Sequence, residues 1–122
     1  MEKVKVKSAT VYVDFEEFEG DTLEMLFNYK NPDGTQVNLT GYTAKMDIRT
    51  AIGAAALITV TQADALVLGG VTNNISIALT PAQTKTTLGV GSFVYDIQLT
   101  DTLSKVNTLI AGKIVIKASV TQ

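Results

Sequence analysis

Apolar and polar side chains alternate along several short stretches of the chain, a period that is typical of β-strands with one buried face. The clearest example is the stretch 92–100, whose apolar positions are Phe93, Tyr95, Ile97 and Leu99. The same pattern predicts strands within residues 4–6, 11–15, 23–27, 42–50, 58–60, 66–68, 74–79 and 108–120. Short strands at intervals of about ten residues, with turn signals between them, predict a two-sheet antiparallel β-sandwich.

The alternation also separates a buried face from an exposed face in each predicted strand. Within the stretch 42–50, Lys45, Asp47 and Arg49 are expected to face outward. The residues expected to face the core are Val4, Val6, Val11, Val13, Phe15, Leu23, Met25, Phe27, Tyr42, Ala44, Met46, Ile48, Ile114, Ile116, Ala118 and Val120.

Three segments carry turn or capping signals. The sequence Asn31-Pro32-Asp33-Gly34 predicts a tight reversal, because proline presets φ and glycine supplies the positive φ of hairpin turns. Asn73 and Asn74 are of a residue type that tolerates a left-handed backbone, which predicts a turn before the stretch 74–79. A hydroxyl at Thr80, followed by a proline and then by Gln83, predicts one short helical turn at 80–84.

Residues 51–60, with the sequence AIGAAALITV, allow two interpretations. The alanines favour a helix. Gly53 and the β-branched run Ile58, Thr59 and Val60 favour a loop that enters a strand, and this is the preferred interpretation.

The 122 residues are expected to form one domain, residues 1–122, because a chain of this length leaves no room for a second core. Hydrophobic residues make up 46% and charged residues 18% of the sequence, and this low charge suggests surface that partners bury. The chain contains neither Cys nor His, which excludes disulfides, thiolate metal sites and histidine-based acid–base chemistry. We therefore expect no enzyme and no cofactor.

Charge and hydropathy narrow the range of partners. The formal net charge is -2, with a pI near 5.0, so the chain lacks the basic surface that nucleic-acid binding requires. No apolar run approaches the length of a membrane span, and the N-terminus lacks the apolar core of a signal peptide. We expect a chain made in the cytoplasm that binds neither nucleic acid nor membrane.

Six acidic residues near the N-terminus form a candidate cation site, because hard cations require several carboxylate oxygens. They are Asp14, Glu16, Glu17, Glu19, Asp21 and Glu24. The segment has no D-x-D-x-D-G pattern, so a solvated loop or an acidic partner-facing patch is the preferred interpretation. Glu16 and Glu17 resemble a glycosidase pair only in composition, since adjacent strand residues point to opposite faces. No metal-binding, cofactor-binding or catalytic residue is assigned.

Other polar and small apolar segments are candidates for contacts with partners. Lys3, Lys5 and Lys7 alternate with valine, and lysines on an edge strand guard against unwanted pairing or attract an acidic partner. Arg49 and Asp96 are expected to form a weak surface ion pair or an assembly contact. The N-terminal Lys-Val segment and the loops 52–56 and 67–70 are the pieces expected to touch partners, because their small apolar residues have no other reason to face water.

Four stretches, 18–50, 75–84, 91–101 and 109–121, carry a series of short elements in a fixed order. The elements are Gly20-Asp21-Thr22, Asp33-Gly34, Leu39-Thr40-Gly41-Tyr42-Thr43, Met46-Asp47-Ile48-Arg49, Tyr95-Asp96-Ile97-Gln98-Leu99-Thr100 and Gly112-Lys113-Ile114-Val115-Ile116. In order and spacing they resemble the N-terminal domain of the phage baseplate upper protein, and the resemblance covers residues 14–121.

The resemblance implies an immunoglobulin-like sandwich of about seven to nine strands with one short helical turn. It also implies a domain that docks a receptor-binding or fibre assembly onto a phage particle, without enzymatic activity. In that family the domain often leads into a longer chain with fibre segments, whereas this sequence stops after the last predicted strand. A stand-alone adaptor and a protein that decorates another virion surface both fit this departure.

The expected function is that of a virion structural protein, assembled in the host cytoplasm, which joins tail, baseplate or fibre components. Its expected partners are other phage structural proteins and further copies of this chain in a symmetric assembly. One alternative is a capsid decoration or head-to-tail protein. Another is a carbohydrate-binding module, for which Tyr29 and Tyr42 are the candidate sugar-stacking rings.

Overall fold

The computed structural model describes residues 10–120, and their backbone forms nine strands and one short helix. The strands are β1 Val11–Tyr12, β2 Phe15–Phe18, β3 Leu23–Phe27, β4 Thr43–Arg49, β5 Ala56–Thr61, β6 Leu66–Leu68, β7 Ile75–Leu79, β8 Gly91–Thr100 and β9 Val106–Lys117. The helix, Gln83–Leu88, has the wide π-helical winding. The strand predicted at Val4 and Val6, and the lysines at 3, 5 and 7, lie outside the described residues.

The nine strands divide into two sheets, which confirms the predicted all-β sandwich. The larger sheet has the order β1-β9-β8-β4-β5, with β2 also paired to β9, and the smaller sheet has the order β3-β7-β6. A three-stranded sheet facing a sheet centred on β9, β8 and β4 is the strand order of an immunoglobulin-like domain. The pairing departs from a purely antiparallel sandwich at one edge, where β1 and β2 run parallel to β9.

The core lies between the sheets and follows the predicted alternation closely. Met25, Met46, Ile48, Ile97 and Ile114 are each fully shielded from solvent. The other buried apolar residues are Leu23, Leu39, Ala44, Ile58, Val60, Leu66, Ile75, Ile77, Leu79, Phe93, Tyr95, Leu99, Leu109, Ile110 and Ile116.

Three residues predicted to face the core are exposed instead. Ala118 and Val120 lie beyond the end of β9 at Lys117, so their alternation continues without a neighbouring strand to pair with. Val11 lies at the sheet edge, and 55% of its surface is exposed. The predicted alternation of buried and exposed residues is therefore confirmed, while the last strand is shorter than predicted.

The predicted turn and helix cap are present. The Gly34 amide donates to the Asn31 carbonyl at 2.9 Å, and Gly34 has a φ of +92°, which closes the tight reversal. At the helix, the Gln83 amide donates to the Thr80 hydroxyl at 3.2 Å and the Thr80 amide donates to the Gln83 side-chain oxygen at 2.8 Å. This reciprocal pair is the predicted capping box. The helix extends further than predicted, to Leu88.

Two further predictions have different outcomes. The stretch 51–60 forms a loop followed by β5, which confirms the preferred interpretation and excludes the helix. Asn73 and Asn74 do not have a left-handed backbone, because Ser104 is the single non-glycine residue with positive φ among the described residues. The turn before β7 is confirmed, because β6 and β7 pair as antiparallel neighbours. The left-handed backbone expected at the two asparagines was wrong, and the buried Asn74 side chain instead bonds to distant backbone.

The two-residue segment Val13–Asp14 joins β1 to β2 at the edge of the larger sheet, and the register with β9 is the same on both sides of it. The Val13 amide donates to the Ala111 carbonyl at 2.9 Å, and the Asp14 side chain accepts the Lys113 amide at 3.0 Å. From inside the core, the Tyr95 hydroxyl donates to the Val13 carbonyl at 2.6 Å. The Val13–Asp14 segment is thus held to β9 by the Val13 amide and the Asp14 carboxylate, and to β8 by a buried hydroxyl.

The helix is joined to the β2–β3 turn through Thr84, which is fully buried. Its hydroxyl accepts the Gly20 amide at 3.0 Å and donates to the Asp21 carbonyl at 2.8 Å. A Thr84→Val substitution keeps the side-chain shape but leaves both backbone groups without this partner, so the free energy of unfolding is expected to fall by about 1–2 kcal/mol. Urea denaturation measures this loss. The exposed Thr86→Val is the matched control, and an equal loss in both variants would contradict the role of the Thr84 bonds.

Candidate assembly interface

The acidic residues near the N-terminus extend from Asp14, just before β2, to Glu24 on β3, and their described contacts are with separate partners. Glu16 pairs with Lys117 at 3.4 Å on the exposed edge of the sheet. Glu17 accepts the Phe18 amide, and Asp14 accepts the Lys113 amide. Among residues 10–120, no three acidic side chains come together in a way that would hold a metal ion.

The outer face of the larger sheet carries a polar row that crosses five strands in register. It consists of Tyr12 on β1, Ala111 on β9, Asp96 on β8, Asp47 on β4 and Thr59 on β5. The small Ala111 side chain between larger neighbours leaves a trough of about 620 Å³ above the sheet. The sequence alone does not predict this row, because the alignment of its residues depends on which strands become neighbours and in which register.

Charges in this trough are arranged differently from the prediction. The Arg49 guanidinium pairs with Asp47, Nη2 to Oδ2 at 2.8 Å, rather than with the expected Asp96. Arg49 also donates to the Ala54 carbonyl in the following loop, and the Thr59 hydroxyl donates to Asp47 at 2.7 Å. Asp96 shares the trough with this network.

Partial burial raises the pKa of the Asp96 carboxyl above its ordinary value, and repulsion from Asp47 adds to the shift, while Arg49 and Lys45 oppose it. A raised pKa means that the folded state binds this proton more tightly than the unfolded chain does. Stability therefore decreases as pH rises through the range between the two pKa values.

Asp96→Asn removes this penalty and is expected to raise the free energy of unfolding near pH 7. The gain is expected to vanish as pH falls below about 4, where the wild-type carboxyl is protonated in both states. Urea denaturation near pH 7 and near pH 3 measures the difference. Asp21→Asn, at an exposed position in the β2–β3 turn, changes the same formal charge as a control. A loss of stability in Asp96→Asn at pH 7 would contradict the assignment.

Within residues 10–120, each outer strand of the smaller sheet, β3 and β6, has one side that is unpaired. Strand β3 pairs with β7 on one side, and no strand of the described chain pairs with its other side. An apolar groove of about 570 Å³ runs beside this edge, between β3 and the start of β1. Its lining is mainly apolar, with Asn28 and Lys30 as its polar members, and the apolar residues include Val11, Val13, Phe15, Leu26, Phe27 and Ile110. An unpaired strand edge presents backbone donors and acceptors that another strand can use.

The two ends of the sandwich also expose apolar side chains. At the end that carries the helix, Ile52 is 94% exposed and Val90 is 59% exposed. At the end that carries the Asn31–Gly34 turn, Val71 is 94% exposed and Leu103 is 75% exposed. Val67, in the other predicted contact loop, lies on β6 with an exposed side chain. The exposed Ile52 and Val67 lie within the segments predicted to touch partners.

The two tyrosines proposed as sugar-stacking rings do not lie where the carbohydrate-binding alternative requires them. Tyr29 and Tyr42 are half-buried and pack against the core. Tyr12 is 77% exposed and forms one wall of the polar trough. The sequence could have predicted the exposure of Tyr12, because it lies between Val11 and Val13 at a position of the first strand that alternation turns outward.

No family model matches the chain, and no curated protein matches it. Within residues 10–120, no helix is long and apolar enough to cross a membrane.

Proposed function

We propose that this chain is a non-catalytic structural module of a tailed-phage virion, which joins tail, baseplate or fibre components through its strand edges and loop ends. The observation that carries the proposal is the exposure of apolar side chains at both ends of the sandwich and beside an open strand edge. Exposed apolar side chains grouped in this way fit a domain whose ends are covered by neighbours in an assembly.

The resemblance in sequence adds support, because its elements have identifiable structural tasks in this fold. Gly34 closes the predicted turn with a positive φ, and the Tyr95 hydroxyl donates to the Val13 carbonyl. Ala44, Met46 and Ile48 on β4 supply part of the core. The same elements would build the same sandwich in a related docking domain, and the location on the particle is part of the proposal.

Purified particles of the source phage test the proposal. Heads and tails are separated before sedimentation and mass spectrometry, and the chain is expected in the tail fraction at stoichiometric copy number. Recovery with the heads would replace the baseplate or fibre role with capsid decoration. Absence from both fractions would overturn the structural role.

The exposed ends give a second, residue-level test. Ile52→Asp and Val71→Asp should leave the free energy of unfolding nearly unchanged, because both side chains lie in water. Both are expected to lower incorporation into particles in a complementation assay. Thr86→Asp, an exposed change without loss of apolar surface, is the control.

Sugar binding is a second candidate function, and the exposed Tyr12 ring in the same trough as the carboxylates of Asp47 and Asp96 favours it. Aromatic rings next to hydrogen-bonding carboxylates are common at sugar sites. A glycan array with the wild-type chain and Tyr12→Ala tests this function. Binding that Tyr12→Ala abolishes would support it, and no binding by the wild-type chain would exclude it for the glycans on the array.

A further inference from the structure

The open edge of β3 and its apolar groove are suited to an added β-strand. Within the groove, the rings of Phe15 and Phe27 meet edge to face with centroids 5.9 Å apart, and Val11 is 55% exposed beside them. Leu26, at the rim on β3, is 52% exposed. A strand added to an open edge gains main-chain hydrogen bonds, and its alternate side chains fill the adjacent groove.

The charge beside this edge selects the kind of strand that fits. Glu24 lies on the outward face of β3, is exposed and has no opposite charge within ion-pair distance among the described residues. A complementary strand would carry small apolar residues at alternate positions for the groove and cations at the intervening positions. Residues 3–7 of this chain have the sequence Lys-Val-Lys-Val-Lys, which supplies both sets.

We propose that the β3 edge binds the Lys-Val segment, residues 3–7, of a second copy of this chain. Val4 and Val6 then enter the groove over Phe15 and Phe27. The alternating lysines lie on the side of Glu24.

A neighbouring copy is a better source for this strand than the same chain. The Thr10 hydroxyl bonds to the Thr108 carbonyl at 2.8 Å, and Val11 pairs with Ile110, so the chain is already committed to the larger sheet at this point. To reach β3 of its own domain, the chain would have to reverse between Lys7 and Thr10. The two intervening residues are Ser8 and Ala9, and two-residue reversals favour Gly, Asn or Asp.

This inference rests on the proposed assembly role, and it names one contact within it. Its test is made on the isolated protein, so its failure leaves the particle experiment to decide the proposed function separately.

The test follows the mass of the full-length chain by analytical ultracentrifugation over a range of concentrations. The expected result is association to multiples of 13.0 kDa. A synthetic peptide of residues 1–9, added in excess, is expected to return the mass to that of one chain. The same peptide with aspartate at positions 4 and 6 should have no effect.

Substitutions on the folded domain locate the site. Glu24→Lys and Leu26→Lys are expected to weaken association at least tenfold, because one reverses the charge at the edge and the other places a cation on its apolar rim. Val67→Lys is the matched control. Val67 lies on β6 in the same row as Leu26, with Ser76 of β7 between them, and its side chain is 57% exposed.

Three results would overturn the proposal. The first is a mass of one chain at every concentration, together with no binding of the labelled wild-type peptide. The second is equal weakening by Val67→Lys and Glu24→Lys. The third is a stable single chain whose free energy of unfolding falls in the full-length Val4→Asp/Val6→Asp variant, which would place the segment on its own domain.

Discussion

Replacing Gly112 with alanine is expected to destabilise the sandwich more than any exposed substitution in it. A Cβ at this position would lie 2.0 Å from the Val13 carbonyl oxygen and 2.7 Å from the Val13 carbonyl carbon. Both contacts are with backbone, so no side-chain rotation relieves them. The Val13–Asp14 segment would have to move away from β9, and the Tyr95 hydroxyl would lose its acceptor. We expect a loss on the order of 3 kcal/mol.

Whether Gly112→Ala lowers or raises the free energy of unfolding shows whether the contact with Val13 is the cause. Gly112 does not have a left-handed backbone, and alanine within a strand costs less chain entropy than glycine. Without the close approach of Val13, alanine would therefore be neutral or stabilising. Chemical denaturation of Gly112→Ala and of the exposed Ser92→Ala on β8 gives the comparison. A Gly112→Ala variant as stable as Ser92→Ala would contradict the close approach of Val13 to Gly112.

Replacing Asn74 is expected to have the second large effect. Its side chain is 1% exposed and makes three hydrogen bonds to the backbone of two other segments. It accepts the Tyr29 amide at 2.7 Å and donates to the carbonyls of Tyr29 at 2.9 Å and Val37 at 3.1 Å. Asn74→Ala leaves the Tyr29 amide without this acceptor, and we expect a loss on the order of 3 kcal/mol.

Asn74→Asp separates hydrogen bonding from packing at the same position. The aspartate keeps an acceptor for the Tyr29 amide but directs negative charge at two carbonyl oxygens. It is therefore expected to be less stable than Asn74→Ala near pH 7, and to recover as acid neutralises the carboxyl. The half-exposed Asn73→Ala is the control. A loss in Asn73→Ala as large as that in Asn74→Ala would contradict a specific role for the Asn74 amide.

The sequence predicted those parts of the fold that depend on neighbours along the chain. The alternation in β8 and the turn at Asn31–Gly34 are local patterns, and the structure confirms both. The capping pair of Thr80 and Gln83 spans three residues and was likewise predictable. In each case the residues that determine the local structure lie within one short segment.

Features that depend on distant segments could not be predicted in the same way. Asn74 had a plausible local explanation as a turn residue, but its partners Tyr29 and Val37 lie 45 and 37 residues away. The trough of the candidate interface likewise arises from the register of five strands, which no single strand reveals. The exposed residues Ile52 and Val67 were predictable, because small apolar residues in loops are unusual without a partner.

The parallel pairing of β1 and β2 with β9 has a mechanical consequence. The chain enters this paired edge at Thr10 and leaves it at Lys117, and these two points lie at its opposite ends. A pulling force applied through these two points acts along the strands and shears their hydrogen bonds together, rather than opening them one after another. Force spectroscopy on the chain held at these points would register a single high-force rupture before the rest of the sandwich extends. Tension along the chain is therefore resisted first by the edge where its first and last strands meet.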